Sequence, residues 1–306
     1  MSRGHGKVIL FGEHAVVHGR SALAAALDRG AVAHAEPATR CSLRVDPWGF
    51  EVELGVAPAD PQLVDLERAL RGLLGACRVP PQRGLCVRAR VELPPAAGLG
   101  ASAALAVAVV RAVGRALGQS RSAAEIIEVV RPWESVFHGN PSGVDSFLAT
   151  HGGLVRFRKG QGGTVVRSNA PLHLVVGHSG QSGTKRMVDA VARRLERQPA
   201  DTQAAFDEIA SLAQAGEKAL VAGDLTQLGS LMDSNQQALR RLGVSTPKLD
   251  TMCQAARQAG ALGAKLTGGG GGGCMVALAE SKRRAREIAA PLLRFSQAVL
   301  VTEVSA

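Results

Sequence analysis

The chain has 306 residues, and its 36 Lys and Arg against 26 Asp and Glu give a formal net charge of +10. The length predicts two domains of roughly 150 residues, and the charge predicts an anionic partner: nucleic acid, an acidic membrane or phosphorylated small molecules. Aromatic residues are only 3%, with no Tyr to stack bases on, the 46% hydrophobic content excludes disorder, and the longest apolar run, Ala103–Val110, is far short of a bilayer span.

The charge excess is lopsided. Residues 1–150 carry 16 basic and 14 acidic side chains, and residues 151–306 carry 20 and 12. Five cysteines, an odd number and never spaced Cys-x-x-Cys, support neither a disulfide framework nor a zinc site. With no apolar leader at the N-terminus, a reduced, cytoplasmic protein is expected.

In chain order, Lys7–Phe11 reads as a buried strand ended by Gly12-Glu13-His14. Ser21–Leu27, Ala31–Ala35, Cys41–Val45 and Phe50–Leu54 read as short strands set off by Gly, Pro and Asp. Pro61–Ala76 has helical spacing through Leu63, Leu66, Leu70 and Leu73/Leu74. Leu85–Leu93 alternates as a strand, stopped by Pro94-Pro95. Helices are predicted from Ser102 to about Leu117, over Ser122–Val130, and over Pro141–Thr150. Leu154–Val176 is strand-rich, and Gly183 to about Gly260 is helical. Strands Ala264–Thr267 and Cys274–Leu278 flank six glycines, and helix 281–293 and strand Ala298–Val301 close the chain. The pattern predicts an α+β fold with domains 1–168 and 169–306.

Three segments carry chemistry. The first, Leu93 to Ala104, runs strand, prolines, glycine loop, helix. Small residues let a ligand approach the backbone, and the helix aims its unpaired N–H groups and positive dipole end into the loop, which suits phosphate. Ser102, at the helix start, is placed to cap it or to ligate a metal. The segment is neither a Walker loop nor a Rossmann fingerprint. The six glycines, Gly268–Gly273, match Gly-x-Gly-x-x-Gly trivially but precede a strand, so a β-hairpin, phosphate-facing or merely flexible, is expected there.

The second segment is Gly6 to His14. Lysines number seven against 29 arginines, so Lys7 opening an apolar strand is a specific choice, and its compact charge suits a phosphate or a perturbed neighbour. The third is Trp133 to Asp145. Asn140-Pro141-Ser142-Gly143 signals a turn that puts Asp145 at the start of a helix and Glu134 near the end of the preceding one. Two carboxylates so placed suit one metal ligand and one base, or else a helix cap and a solvated side chain.

Together and in this order, Gly6–Gly19, Pro94–Ala104, His138–Asp145 and Lys265–Cys274 resemble the motifs of the GHMP kinase superfamily, and within it the branch that phosphorylates mevalonate. The landmarks run across nearly the whole chain. The resemblance implies a ribosomal-protein-S5-like N-terminal domain and a ferredoxin-like C-terminal domain that completes the substrate cleft, with ATP bound in that cleft. It implies Asp145 as general base on the C5 hydroxyl of mevalonate and Lys7 as the group that polarises that oxygen and contacts ATP. It implies Ala96, Ala97, Gly98, Leu99, Gly100, Ala101 and Ser102 as the ATP-phosphate cradle, and Ser102 and Glu134 as Mg²⁺ ligands. Glu13, His14 and Thr184 fall on the substrate side.

Three positions depart from the pattern. Ala101 stands where a first serine is usual, His5 where a Pro commonly precedes Gly-Lys, and Ser182 where many relatives carry an Arg. Lys185 and Arg186 are the nearby cations that could face the substrate carboxylate in its place. Mevalonate and ATP are therefore the expected small-molecule partners, with no nucleic acid or membrane, and a homodimer is common in the family. The alternatives are a kinase of the same superfamily acting on phosphomevalonate or another hydroxy acid, and, from a different class, a basic nucleic-acid binder resting on clusters such as Arg156-Phe157-Arg158-Lys159.

Overall fold

A computed structural model describes residues 2–138, 142–180 and 183–304, except the side chains of Gln62, His138 and Thr184. The chain groups into two compact units. One holds residues up to Gly6, Arg29–Pro95 and Gly100–Gly152; the other holds Lys7–Asp28, Ala96–Leu99 and the chain from Gly153 onward.

In the first unit, strands β3 (Ser42–Asp46), β4 (Phe50–Glu53), β5 (Gly84–Val91) and the second half of β2 (Ser21–Ala38) lie in the order β4-β3-β5-β2. β3 runs parallel to β5, and the other neighbours are antiparallel. Helix α1 (Val64–Ala76) buries Leu66, Leu70, Leu73 and Leu74 of the stripe read from the sequence, together with Ala69, while Leu63 lies in a 3₁₀ turn before it. Helix α2 (Ala101–Ala116) is buried along almost its whole length. It packs against α3 (Ala123–His138) and α4 (Val144–His151), which also touch each other.

The second unit contains the later part of β1 (Ser2–Phe11), the first half of β2, and strands β6 (Leu154–Arg158) and β7 (Gly162–Val166), with β6 pairing antiparallel to both β2 and β7. It also contains a four-stranded antiparallel sheet in the order β11 (Ala298–Val304), β8 (Leu172–His178), β10 (Cys274–Ala279), β9 (Gly263–Thr267). Helices α7 (Leu225–Arg241), α8 (Pro247–Gln258) and α9 (Lys282–Leu292) pack on that sheet, while α5 (Thr184–Arg197) and α6 (Pro199–Ala222) pack on each other and α6 on α7. Phe206, Ile209, Leu239, Met252, Leu266 and Ile288 centre its apolar core. Among the described residues no helix is long and apolar enough to cross a membrane.

Three elements differ from expectation, the first being β1, which begins at Ser2 and not at Lys7. Ser21–Leu27 and Ala31–Ala35 are one strand, because the first half pairs with β6 and the second with β5, so Asp28-Arg29-Gly30 is carried through in extended form. Helix α3 runs eight residues past Val130 although Pro132 lacks the donor an interior position needs. The proline ring lies 3.5 Å from where a Cβ on Gly72 of α1 would stand, an ordinary packing distance between the two helices. Ser122 and Glu125 hold the other end of α3 in a capping box: Ser122 N donates to Glu125 Oε2 at 2.7 Å, and Glu125 N to Ser122 Oγ at 3.3 Å.

Candidate active site

In the first unit, three helix ends converge through the mutual packing of α2, α3 and α4. Gly100, left-handed at φ 72°, is the N-cap of α2, so Ser102 lies inside the first turn and makes no capping bond. Of the two uses open to Ser102 in the sequence, capping is thereby excluded. Its Oγ instead accepts a hydrogen bond from Trp133 Nε1 at 2.9 Å. Among the described residues, that leaves the hydroxyl proton and one lone pair unspent.

Glu134, next to Trp133 in the last turn of α3, is buried. Ser146, in the first turn of α4, lies within hydrogen-bond reach of it through both hydroxyl and backbone N–H, and Asp145 lies near enough to repel it. Burial first, and the Asp145 charge second, push Glu134 up to about 7, against the pull of Ser146 and Arg131. Its Oε1 is buried and has no hydrogen-bond partner among the described residues. An orphaned carboxylate oxygen, a second carboxylate of like charge and a hydroxyl with a free lone pair fit a hard dication. No group of three or more His, Cys, Asp or Glu suited to a metal occurs among the described residues.

In the second unit, Lys7 is buried and grips the loop before α2 twice: its backbone N donates to Leu99 O at 2.9 Å and its Nζ to Gly98 O at 3.1 Å. That loop alternates. Ala97 and Leu99 are buried anchors, whereas Ala96, Gly98 and then Gly100 have φ of 52°, 78° and 72°. Alternating negative and positive φ turns successive N–H groups toward a common point, the backbone concavity that holds anions. Ala96 adopts this conformation without being glycine, a strain found mostly at functional positions.

The six glycines form the turn of the β9–β10 hairpin, with Thr267 paired to Cys274. They are not a loose tip. Gly271 N donates to Val244 O at 2.9 Å, and Gly273 exchanges bonds with Ser179 and Gly180. A Cβ on Gly270 would stand 2.2 Å from the Val244 carbonyl oxygen, so only glycine fits.

Glu13 and His14 follow β1. His14 is buried at φ 62°, and its Nε2 lies 2.9 Å from Gly269 O. Burial pushes it down to about 4 despite that bond. The neutral ring therefore carries its proton on Nε2, donating to the carbonyl, and Nδ1 is left an acceptor. Glu13 is buried with both oxygens engaged: Lys265 Nζ donates to Oε1, and Asn235 Nδ2 to Oε2 at 3.1 Å. No local pattern marks Asn235, and Lys265 lies inside the Lys265–Cys274 motif without a role of its own.

Thr184 is the first residue of α5, but its side chain lies outside the described residues, as do Gly139–Pro141 and Ser182 entirely. Of the two cations considered beside Ser182, both exposed, Arg186 turns its guanidinium back to within 3.6 Å of where a Cβ on Gly183 would stand.

His14 has a pH consequence. Its folded value near 4 lies below the unfolded 6.5, so the unfolded chain takes up the proton first. Its contribution is complete above about pH 6.5 and is lost as pH falls toward 4, amounting to about 3 kcal/mol over that window. Urea unfolding should therefore lose more stability between pH 6.5 and 4 in the wild type than in His14→Gln. Equal losses would remove His14 as the source.

Comparison with known proteins gives one consistent answer. Residues 66–153 match the GHMP kinases N terminal domain, and residues 217–296 the GHMP kinases C terminal domain. The chain is 34% identical to the mevalonate kinase of Pyrococcus furiosus, over 98% of this chain and 94% of that protein. It is 35% identical to that of Thermococcus onnurineus, over 98% and 94%. Its structure is similar to that of L. major mevalonate kinase in complex with R-mevalonate, with a TM-score of 0.87 and 31% identity, covering 99% of this chain and 95% of that one.

Proposed function

The chain belongs to the GHMP kinase family, and from that premise we infer that it is an ATP-dependent phosphotransferase that converts mevalonate to 5-phosphomevalonate. The observation that carries the substrate is the likeness, over 99% of this chain, to a mevalonate kinase with R-mevalonate bound.

Phosphoryl transfer asks a protein for position and charge neutralisation more than for covalent chemistry. Asp145 takes the proton of the C5 hydroxyl as that oxygen bonds to the γ-phosphorus. The bond from the γ-phosphorus to the β,γ-bridging oxygen breaks, and ADP leaves with the electron pair. Lys7, held by the carbonyls of Gly98 and Leu99, offers its charge to the reacting oxygen. The backbone N–H groups of Ala96–Ser102 receive the ATP phosphates. Ser102 and Glu134 are the residues that would hold Mg²⁺, which when bound neutralises phosphate charge.

His14 and Thr184 belong to the substrate side by resemblance. Glu13 belongs there too, but with both oxygens engaged it serves by holding its neighbour. The division of labour we propose puts phosphate loop, metal ligands and base in residues 1–168 and Thr184 with the glycine hairpin in residues 169–306. A cytoplasmic location fits its soluble substrates.

The test is ADP release with ATP and Mg²⁺ against a panel of mevalonate, phosphomevalonate, galactose and homoserine. Mevalonate should give the highest kcat/KM by at least about tenfold, a discrimination of about 1.4 kcal/mol. Preference for any other member would replace the substrate while leaving the family standing.

A further inference from the structure

Strand β9 reaches β1 through alternate side chains. Ala264 and Leu266 point into the apolar core, while Lys265 and Thr267 point the other way. The Thr267 hydroxyl accepts from Ile9 N at 2.8 Å and donates to Ile9 O at 3.1 Å. Lys265 is fully buried, and its ammonium uses all three donors: on Glu13, on Leu266 O at 2.6 Å and on Ile9 O at 3.4 Å. Asn235, on α7 and also fully buried, completes the Glu13 carboxylate.

This network is poorly explained as a source of stability. Removing a lysine and a glutamate from water costs more than their attraction commonly returns, and apolar residues of similar volume often do as well or better. Asn235 adds a cost of its own, because its Oδ1 is buried without a partner among the described residues. What the network does supply is orientation. His14 sits in a left-handed conformation that persists only where its surroundings over-determine it. Glu13, one residue before it, is held from two directions. The restrained His14 in turn holds Gly269, and Gly268 lies beside Gly98 of the loop that Lys7 grips.

We propose that Lys265 and Asn235 are positioning residues for phosphoryl transfer, which fix Glu13 and, through the Gly12–His14 corner, the glycine hairpin. The role in transfer rests on the kinase reading above; the geometry does not.

The test compares wild type, Lys265→Met, the double variant Glu13→Gln with Lys265→Met, and Asn235→Leu. Lys265→Met alone leaves a buried carboxylate without its counter-charge and should unfold at lower urea. The double variant leaves no charge behind and should recover most of that loss. Its kcat should nevertheless stay at least about tenfold below wild type. Amide hydrogen exchange over Gly268–Gly273 should quicken while α7 and α8 keep their protection. A double variant with kcat within twofold of wild type overturns the proposal. So does a loss of kcat matched by equal deprotection of α7 and α8, which would make the network purely structural. Should the double variant not fold, Asn235→Leu carries the test. It should lose about threefold or more in kcat with faster exchange at Gly269, and an unchanged kcat overturns the proposal. All rates are read on whichever alcohol the wild type is found to phosphorylate, so a wrong substrate assignment fails the earlier reading without touching this one.

Discussion

Asp145→Ala is expected to lower kcat by about 10²–10⁴-fold, the usual contribution of a positioned general base, or about 3–5 kcal/mol of transition-state stabilisation. Affinity for ATP should change little, because the phosphate cradle is built from the backbone of Ala96–Ser102 and from Lys7, which donates to the carbonyls of Gly98 and Leu99. The separation matters, since Asp145 also presses on Glu134 electrostatically. A purely electrostatic role would show as a changed Mg²⁺ requirement with turnover recovered at saturating metal. A base role would show as a kcat that no Mg²⁺ concentration restores. Single-turnover phosphorylation with saturating ATP and Mg²⁺ distinguishes the two, and a variant that keeps most of its turnover takes Asp145 out of the proton transfer.

Much of the site was legible in the sequence because its parts are local. Strand, loop and helix within Leu93–Ala104 predict a phosphate cradle from backbone alone, and the turn before Asp145 predicts a helix start there, which α4 provides one residue earlier at Val144. What was not legible is long-range. Lys265 and Glu13 are 252 positions apart and Asn235 and Glu13 are 222, so no periodicity or motif spacing links them. The Trp133–Ser102 bond joins two motifs that were each read singly, and it depends on α3 continuing through Pro132. A proline in an apolar helical pattern predicts a stop at the residue before it, and α3 nevertheless runs on to His138.

The charge also reads differently once folded. The basic clusters that made nucleic acid a candidate are partly answered by acids on their own or other elements. Arg156 pairs with Glu217, and Arg283 and Arg284 both reach Glu287. Arg158 donates to the carbonyl of Gly19. Such exposed pairs add little stability, but they shorten the reach of the positive surface. In the function proposed above, the anion-handling groups are instead the backbone of the Ala96–Ser102 loop and a single scarce lysine.

Glu134→Gln should act in opposite directions on stability and on activity. Without metal, the wild type keeps a buried carboxylate with one orphaned oxygen beside a second carboxylate. The amide keeps the shape and an oxygen that accepts from Ser146, and removes the like-charge repulsion. The metal-free variant should therefore be more stable, by about 1–3 kcal/mol, or several degrees in Tm. Activity should move the other way. A ligand lost from the inner shell of a bound ion should cost at least the 10–100-fold typical of its outer partners, so the Mg²⁺ concentration for half-maximal rate should rise by about 100-fold or more. Mg²⁺ titrations of rate and of thermal unfolding, run in parallel on both proteins, give four slopes. Wild type should gain Tm with Mg²⁺ and ADP, and the variant should start higher and gain less. If the variant is instead less stable without metal and its Mg²⁺ requirement is unchanged, Glu134 is a structural residue of the α3–α4 junction, and Ser102 must then find its metal partner elsewhere.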